Sequence, residues 1–202
     1  YCKPSLALLP DGKVFVTHGS DDEIPSTYGI ICTVSNKTIS AGTNTLLTDN
    51  NYSGKSNSTT CLNDGSIFIA RRDSGDYMLS AMVCTVSGTT ITVAQNKSLS
   101  YGSNSGMHLS TVLLPDGKVF LVSGKGYLDA RVITASTSSI TSGTALTLTS
   151  SSTEVYDIAT ILMSNTKVFM VYNISKVNGI VCTISGTTVS MGTDTEIVSE
   201  SS

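Results

Sequence analysis

Four copies of one unit run through this chain, and a repeat limits the fold to architectures in which each copy buries its faces against the next. The segment Leu8-Leu9-Pro10-Asp11-Gly12-Lys13-Val14-Phe15 returns as Cys61-Leu62-Asn63-Asp64-Gly65-Ser66-Ile67-Phe68 and as Leu113-Leu114-Pro115-Asp116-Gly117-Lys118-Val119-Phe120. A worn copy, Leu162-Met163-Ser164-Asn165-Thr166-Lys167-Val168-Phe169, closes the series. The four phenylalanines of the chain all occupy this one place, at spacings of 53, 52 and 49 residues. A second segment keeps step with the first, beginning at Cys32, Cys84, Ile133 and Cys182.

Each unit divides into four strands, here lettered A to D. Strand A is an apolar run ending in a Pro-Asp-Gly-Lys turn, which leads into strand B. Strand B reads Val-Phe-Val without polar alternation, so both of its faces should be covered. Strand C is nearly as apolar, whereas strand D alternates, as in Thr90-Ile91-Thr92-Val93, the pattern of a half-exposed strand. This predicts burial falling from A to D. A four-stranded unit with inner strands covered on both faces must be sandwiched between copies of itself, and radial stacking achieves this. The expected fold is all-β: one β-propeller domain over residues 1–202, with blades of roughly 1–53, 54–106, 107–154 and 155–202. The alternative is that these four blades form part of a larger ring, because both ends of the sequence fall at the same unit boundary and provide no shared blade to fasten a closed one.

Composition narrows the function. The chain has 202 residues, a net charge of -3 and 13% charged residues, so no basic field is available for nucleic acid or an anionic membrane. No apolar run approaches the roughly 20 residues needed to span a bilayer. Five cysteines, Cys2, Cys32, Cys61, Cys84 and Cys182, lack the short paired spacings of a zinc site. Neither a metal nor a cofactor is expected. Cys32, Cys84 and Cys182 hold one place in three units, which keeps them too far apart to pair and makes them small core residues. Cys2 with Cys61 stays open as a pair.

In a meander the A–B and C–D turns lie at one end of each blade and the B–C and D–A loops at the other. The second end collects the variable segments 20–27, 50–58, 71–76 and 124–129, all eight tyrosines and both histidines. A rigid scaffold that presents aromatic and hydrogen-bonding groups on variable loops is a common form of recognition surface. Tyrosine rings cover the apolar face of a pyranose, while carboxylates, amides and guanidinium groups satisfy its hydroxyls. The candidate ligand-binding residues are Arg71, Arg72, Asp73, Asp76 and Tyr77 in the second unit, Asp21, Asp22 and Tyr28 in the first, and Lys125, Tyr127, Asp129 and Arg131 in the third. Taken singly, each is more often a solvated loop residue.

No nucleophile elbow, His-Glu-x-x-His, phosphate loop or dinucleotide fingerprint is present, so no catalytic residue is assigned. Asp21, Asp22 and Glu23 could serve as glycosidase acids or calcium ligands, but a consecutive acidic run is more often a solvated loop.

The Leu-Pro-Asp-Gly-Lys-Val-Phe unit with its partner Cys-Thr-Val-Ser-Gly-Thr-Thr-Ile-Thr resembles repeats of tail-fibre and receptor-binding proteins from phages, prophages and phage-tail-like bacteriocins of Gram-positive bacteria. The resemblance spans all four units, but its motifs are turns and strands, so it carries no site residues with it. It implies a non-enzymatic recognition module, outside the cell or on a tail-like particle, that is part of a larger assembly and binds a cell-surface carbohydrate or surface protein. A glycoside-active propeller and a structural spacer are the alternatives.

Overall fold

The computed structural model describes residues 3–20, 26–48, 56–73, 78–99, 108–124, 127–149, 155–174 and 176–198. Four antiparallel sheets follow one another along the chain, one for each unit. Blade 1 contains β1 (Ser5–Leu8), β2 (Val14–Gly19), β3 (Thr27–Ser35), β4 (Thr38–Ala41) and β5 (Thr45–Thr48). Blade 2 contains β6 (Asn57–Cys61), β7 (Ile67–Asp73), β8 (Met78–Ser87) and β9 (Thr90–Ser98). Blade 3 is built from β10 (His108–Leu113), β11 (Val119–Gly124), β12 (Leu128–Ala135), β13 (Ile140–Ser142) and β14 (Leu146–Thr147). Blade 4 is built from β15 (Asp157–Ser164), β16 (Lys167–Asn173), β17 (Val177–Ser185), β18 (Thr188–Met191) and β19 (Thr195–Val198). Each sheet is a meander in which the outermost strand, D, pairs with strand C. In blades 1, 3 and 4 that outer strand is split in two, and in blade 2 it stays whole with a bulge between Val83 and Cys84. The fold is the β-propeller of four blades that the repeat predicts.

Turn chemistry sets the register. In blades 1, 2 and 3 the A–B turn closes with the glycine amide donating to the leucine carbonyl three residues back, Gly12 to Leu9, Gly65 to Leu62 and Gly117 to Leu114. These glycines have φ of 80 to 83°, a left-handed conformation that a side chain disfavours. Blade 4, with Ser164-Asn165-Thr166 in place of Pro-Asp-Gly, makes a shorter turn with Ser164 opposite Lys167, and its register shifts between Leu162 and Ser164.

The blades stack face to face. Every blade has a leading face toward the next blade in sequence and a trailing face toward the previous one. Phe15 and Ile31 of blade 1 pack with Ile67, Ile69, Met82 and Cys84 of blade 2. Phe68 and Val83 of blade 2 meet Val119, Leu121 and Ile133 of blade 3. Phe120 and Val132 of blade 3 meet Val168, Met170 and Cys182 of blade 4. The phenylalanine therefore always points forward. Its ring needs a small residue diagonally across on strand C: a Cβ on Gly29 would come within 3.1 Å of Phe15, and one on Gly179 within 2.9 Å of Phe169. Ala81 and Ala130 hold the equivalent place in blades 2 and 3.

Near the axis the joints are polar. Thr17 Oγ1 lies 2.7 Å from Thr59 Oγ1, the Thr59 amide donates to Ser5 Oγ at 2.9 Å, Thr60 Oγ1 meets Thr111 Oγ1 at 2.7 Å, and Ser110 Oγ meets Thr160 Oγ1 at 2.9 Å. Burial consequently does not fall from A to D. Strand A is only partly buried in blades 1, 3 and 4, as in β10, and buried over most of its length in blade 2, while β11 is buried along its whole length. The physical reason is that A has a paired strand on one side only, whereas B and C have both edges paired and, in blades 2 and 3, both faces covered by neighbouring blades.

The cysteines behave largely as small core residues. Burial raises the Cys84 thiol to about 12 and the Cys182 thiol to about 11. Cys32, Cys61, Cys84 and Cys182 are free thiols, and Cys2 lies outside the described residues.

Because the phenylalanines of blades 1 to 3 are sealed and Phe169 is only half-buried, truncation should separate them. Phe68→Ala or Phe120→Ala is expected to lower unfolding free energy by about 3–5 kcal/mol, and Phe169→Ala by less than half of that. Equal losses for all three in urea unfolding would contradict the stacking described here.

Candidate functional site

At the end of each blade where B meets C, three positions on three strands come together on the trailing face. Register makes them equivalent from blade to blade. In blade 1 they are His18 on β2, Tyr28 opposite it on β3, and Asn44 just before β5. In blade 2 they are Arg71, Ser80 and Asn96, and in blade 4 Tyr172, Asn178 and Asp194. Blade 3 keeps only part of the set, with Ser123 opposite Asp129.

The three full sets are hydrogen-bonded. His18 Nε2 lies 3.1 Å from Asn44 Oδ1, and the His18 and Tyr28 rings stack with centroids 5.5 Å apart and 14° between planes. Arg71 Nη2 donates to Asn96 Oδ1 at 3.3 Å. The Tyr172 hydroxyl donates to Asp194 Oδ2 at 2.6 Å, and Asn178 Nδ2 donates to Asp194 Oδ1 at 3.2 Å. The strand-B member is fully buried for Arg71 and Tyr172, His18 and Tyr28 are both half-buried, and the strand-D member, Asn44, Asn96 or Asp194, is exposed. Burial and then the Asp194 carboxylate push the Tyr172 phenol well above its ordinary range, so it stays a neutral donor.

The described tyrosines, Tyr28, Tyr127, Tyr156 and Tyr172, all belong to the end of the blades that carries the B–C and D–A connections. Of the residues expected to bind ligand, Tyr28 and Arg71 fall in these sets. Arg71, Arg72, Asp73, Asp129 and Arg131 lie on strands rather than in loops, which corrects the expected placement. Arg72 alternates with Arg71 and so occupies the opposite face of β7, 7% exposed. Arg131 is 6% exposed, donates from Nη1 to the Leu99 carbonyl at 3.2 Å and has Asp129 3.9 Å from Nη2. Burial draws its guanidinium below the usual value, with Asp129 and Tyr127 opposing. Asp129 also accepts from Thr147 Oγ1 at 2.9 Å. These groups tie blade 3 to blade 2 and to its own outer strand. Asp21, Asp22, Asp76, Tyr77 and Lys125 lie outside the described residues, as does the side chain of Asp73.

Sequence reasoning missed Asn44, Asn96, Asn178 and Asp194, and it noted His18 and Tyr172 without assigning them to the site. The available signal was their common register: Asn44 precedes Thr45 as Asp194 precedes Thr195. Chemically, the sets offer amides, a carboxylate, a phenol and a stacked ring pair at the mouth of a joint. None of the three full sets holds two carboxylates, the pair a glycosidase requires. Among the described residues no cluster of His, Cys, Asp or Glu could hold a metal ion.

No protein-family profile and no curated protein sequence matches the chain. Solved structures do. The fold is that of a β-propeller, similar to a variant of the Aleuria aurantia lectin in complex with Fucα1-6GlcNAc, at a TM-score of 0.64 and 14% identity over 96% of this chain. The same lectin variant in complex with α-methyl-L-fucoside matches equally well, with a TM-score of 0.64. The chain covers 62% of the length of those lectin chains.

The raised Tyr172 phenol has a consequence for stability. A phenol whose folded value lies above its unfolded one stabilises the fold fully below the unfolded value, near 10, and that contribution is lost as pH rises further. Tyr172→Phe is expected to cost roughly 1 kcal/mol at neutral pH and to lose stability less steeply than wild type above pH 10. Parallel pH curves for the two proteins would refute the assignment.

Proposed function

We propose that this chain is a non-enzymatic glycan-recognition module that binds surface carbohydrate at the polar sets on the trailing faces of its blades. The observation that carries the reading is the repetition of a hydrogen-bonded polar set in register on blades 1, 2 and 4, each with an exposed amide or carboxylate at its rim and, in blades 2 and 4, a fully buried strand-B member. Recurrence in register is unexpected for solvated side chains with no common task. In blade 1 the stacked His18 and Tyr28 rings supply an apolar surface beside the Asn44 amide, which suits a sugar ring with one hydrophobic face and flanking hydroxyls. In blade 4 the Asp194 carboxylate and Asn178 amide supply acceptors and donors without an aromatic platform, since Tyr172 is buried. The lectin of similar fold was solved in two complexes with fucose-containing ligands, which supports a carbohydrate as the ligand class. The likeness to tail-fibre repeats supports a bacterial surface polymer as its source and a setting outside the cell or on a virion or tail-like particle, where the module serves host recognition.

The test is a glycan array together with whole-cell binding by the labelled protein. Asn44→Ala, Asn96→Ala and Asp194→Ala should each weaken binding by roughly tenfold, equivalent to about 1.4 kcal/mol, and the triple variant, checked as folded by circular dichroism, should lose it. No binding to any surface glycan, or binding that survives the folded triple variant, would rule the reading out. Release of reducing sugar from a bound polysaccharide would establish an enzyme instead.

A further inference from the structure

Four blades can form four joints if the ring closes, but among the described residues there are three inter-blade cores, joining blades 1–2, 2–3 and 3–4. The remaining two faces are open. On the trailing face of blade 1, Leu6 is 63% exposed, Leu8 69% and Ile39 72%. Val16, Ile30 and Cys32 complete that face and are only half-buried. On the leading face of blade 4, Ile161 is 62% exposed and Met163 61%, beside a half-buried Phe169 and an exposed Ile197. Between the two, Lys3 Nζ reaches Asp157 Oδ1 at 2.9 Å, but both side chains are exposed, and such a pair contributes little.

Both open faces are docking faces by equivalence. Val16, Ile30 and Cys32 correspond to Ile69, Met82 and Cys84 of blade 2, each 0% exposed beneath blade 1. Phe169, Val181 and Ile197 correspond to Phe15, Ile31 and Leu47, the residues that cover them. The chain therefore carries both halves of its own blade joint, one at each end of the arc, and a single copy does not bring them together.

We propose that blade 4 of one copy docks on blade 1 of the next, making a fourth joint of the same kind between chains. Apolar patches of this extent on a folded surface mark interaction sites. The association is head to tail, because the two faces differ, so it builds closed rings, of which two copies joined at both junctions are the smallest, or open filaments. It also gives the His18 and Tyr28 pair the second wall that blades 2 and 4 already have from their neighbours. The inference rests on the joints alone and not on the glycan reading.

Light scattering across a range of concentrations tests it. Wild-type protein should show masses that are multiples of one chain, with alkylation of Cys32 slowing as association proceeds. Leu8→Asp and Ile161→Asp, both at exposed positions, should each remain at the single-chain mass and label at Cys32 at the free rate. Mixing these two variants is the decisive arm, since one intact junction remains: a one-to-one complex, and nothing larger, is expected. The proposal is overturned if wild type stays at the mass of one chain at every concentration, if either variant alone associates like wild type, or if the mixture forms no complex. A wild-type monomer in which Cys32 is fully protected would instead show that the chain closes on itself.

Discussion

Everything in this fold follows from strands B and C being apolar on both faces. A sheet of that kind has no wet side, so it is stable only between two other surfaces, and a chain of near-identical units provides those surfaces from itself. The alternation of Phe15, Phe68, Phe120 and Phe169 with the small residues at 29, 81, 130 and 179 is the local solution. One large ring per blade fills the space left by a missing side chain on the neighbouring strand, which keeps the sheets at close-packing distance. The hydroxyl pairs near the axis, from Thr17 with Thr59 to Ser110 with Thr160, satisfy polar groups that the converging inner strands would otherwise bury unpaired.

The same constraint places the candidate site. Where B and C run past the apolar core toward the connecting loops, the joint opens, and residues there have one end in the interior and the other in solvent. A side chain on strand B at that depth is buried and needs a partner. Strand D is the nearest strand that can offer one while remaining wet. His18, Arg71 and Tyr172 solve this with different chemistry but with the same partner positions, Asn44, Asn96 and Asp194. A polar set of this form satisfies its own buried groups and presents an exposed remainder.

Much of the architecture was legible because it is written in spacing. The phenylalanine period, the Pro-Asp-Gly turns and the unbroken apolar run of strand B each carry a geometric meaning that does not depend on neighbours. Three features were not. Strand A reads as apolar in Leu6 to Leu9, yet its burial is decided by its place at the axis, which sequence pattern does not encode. Arg71, Arg72, Asp129 and Arg131 read as loop residues because charged side chains usually mark a loop, whereas here the strands extend past the core and turn those charges into the joints. Asn44 and Asp194 could be found only by aligning the split outer strand, whose breaks at Gly42 and Gly192 hide the register. In both glycines the amide donates to the strand-C carbonyl, Ile31 and Val181, at 2.8 Å, so the pairing continues across the break.

On the proposed reading each set offers few groups, so a single site would hold only a small part of a ligand, with its affinity bounded by the cost of fixing both partners. Repetition changes that limit. Sites fixed on one scaffold would engage a polymeric ligand with a high effective concentration after the first contact, and the gain disappears if the spacing does not match the ligand. The distance between mouths is set by blade packing, through the phenylalanine and the small residue beneath it, so the residues that specify the fold also specify which spacing of repeated groups the surface can read. Blade 3, which has Ser123 and Asp129 but Ala145 where the others carry an amide or a carboxylate, leaves an interruption in that array. The pattern offered to a ligand is therefore directional rather than uniform, which is consistent with a chain whose two outer faces also differ.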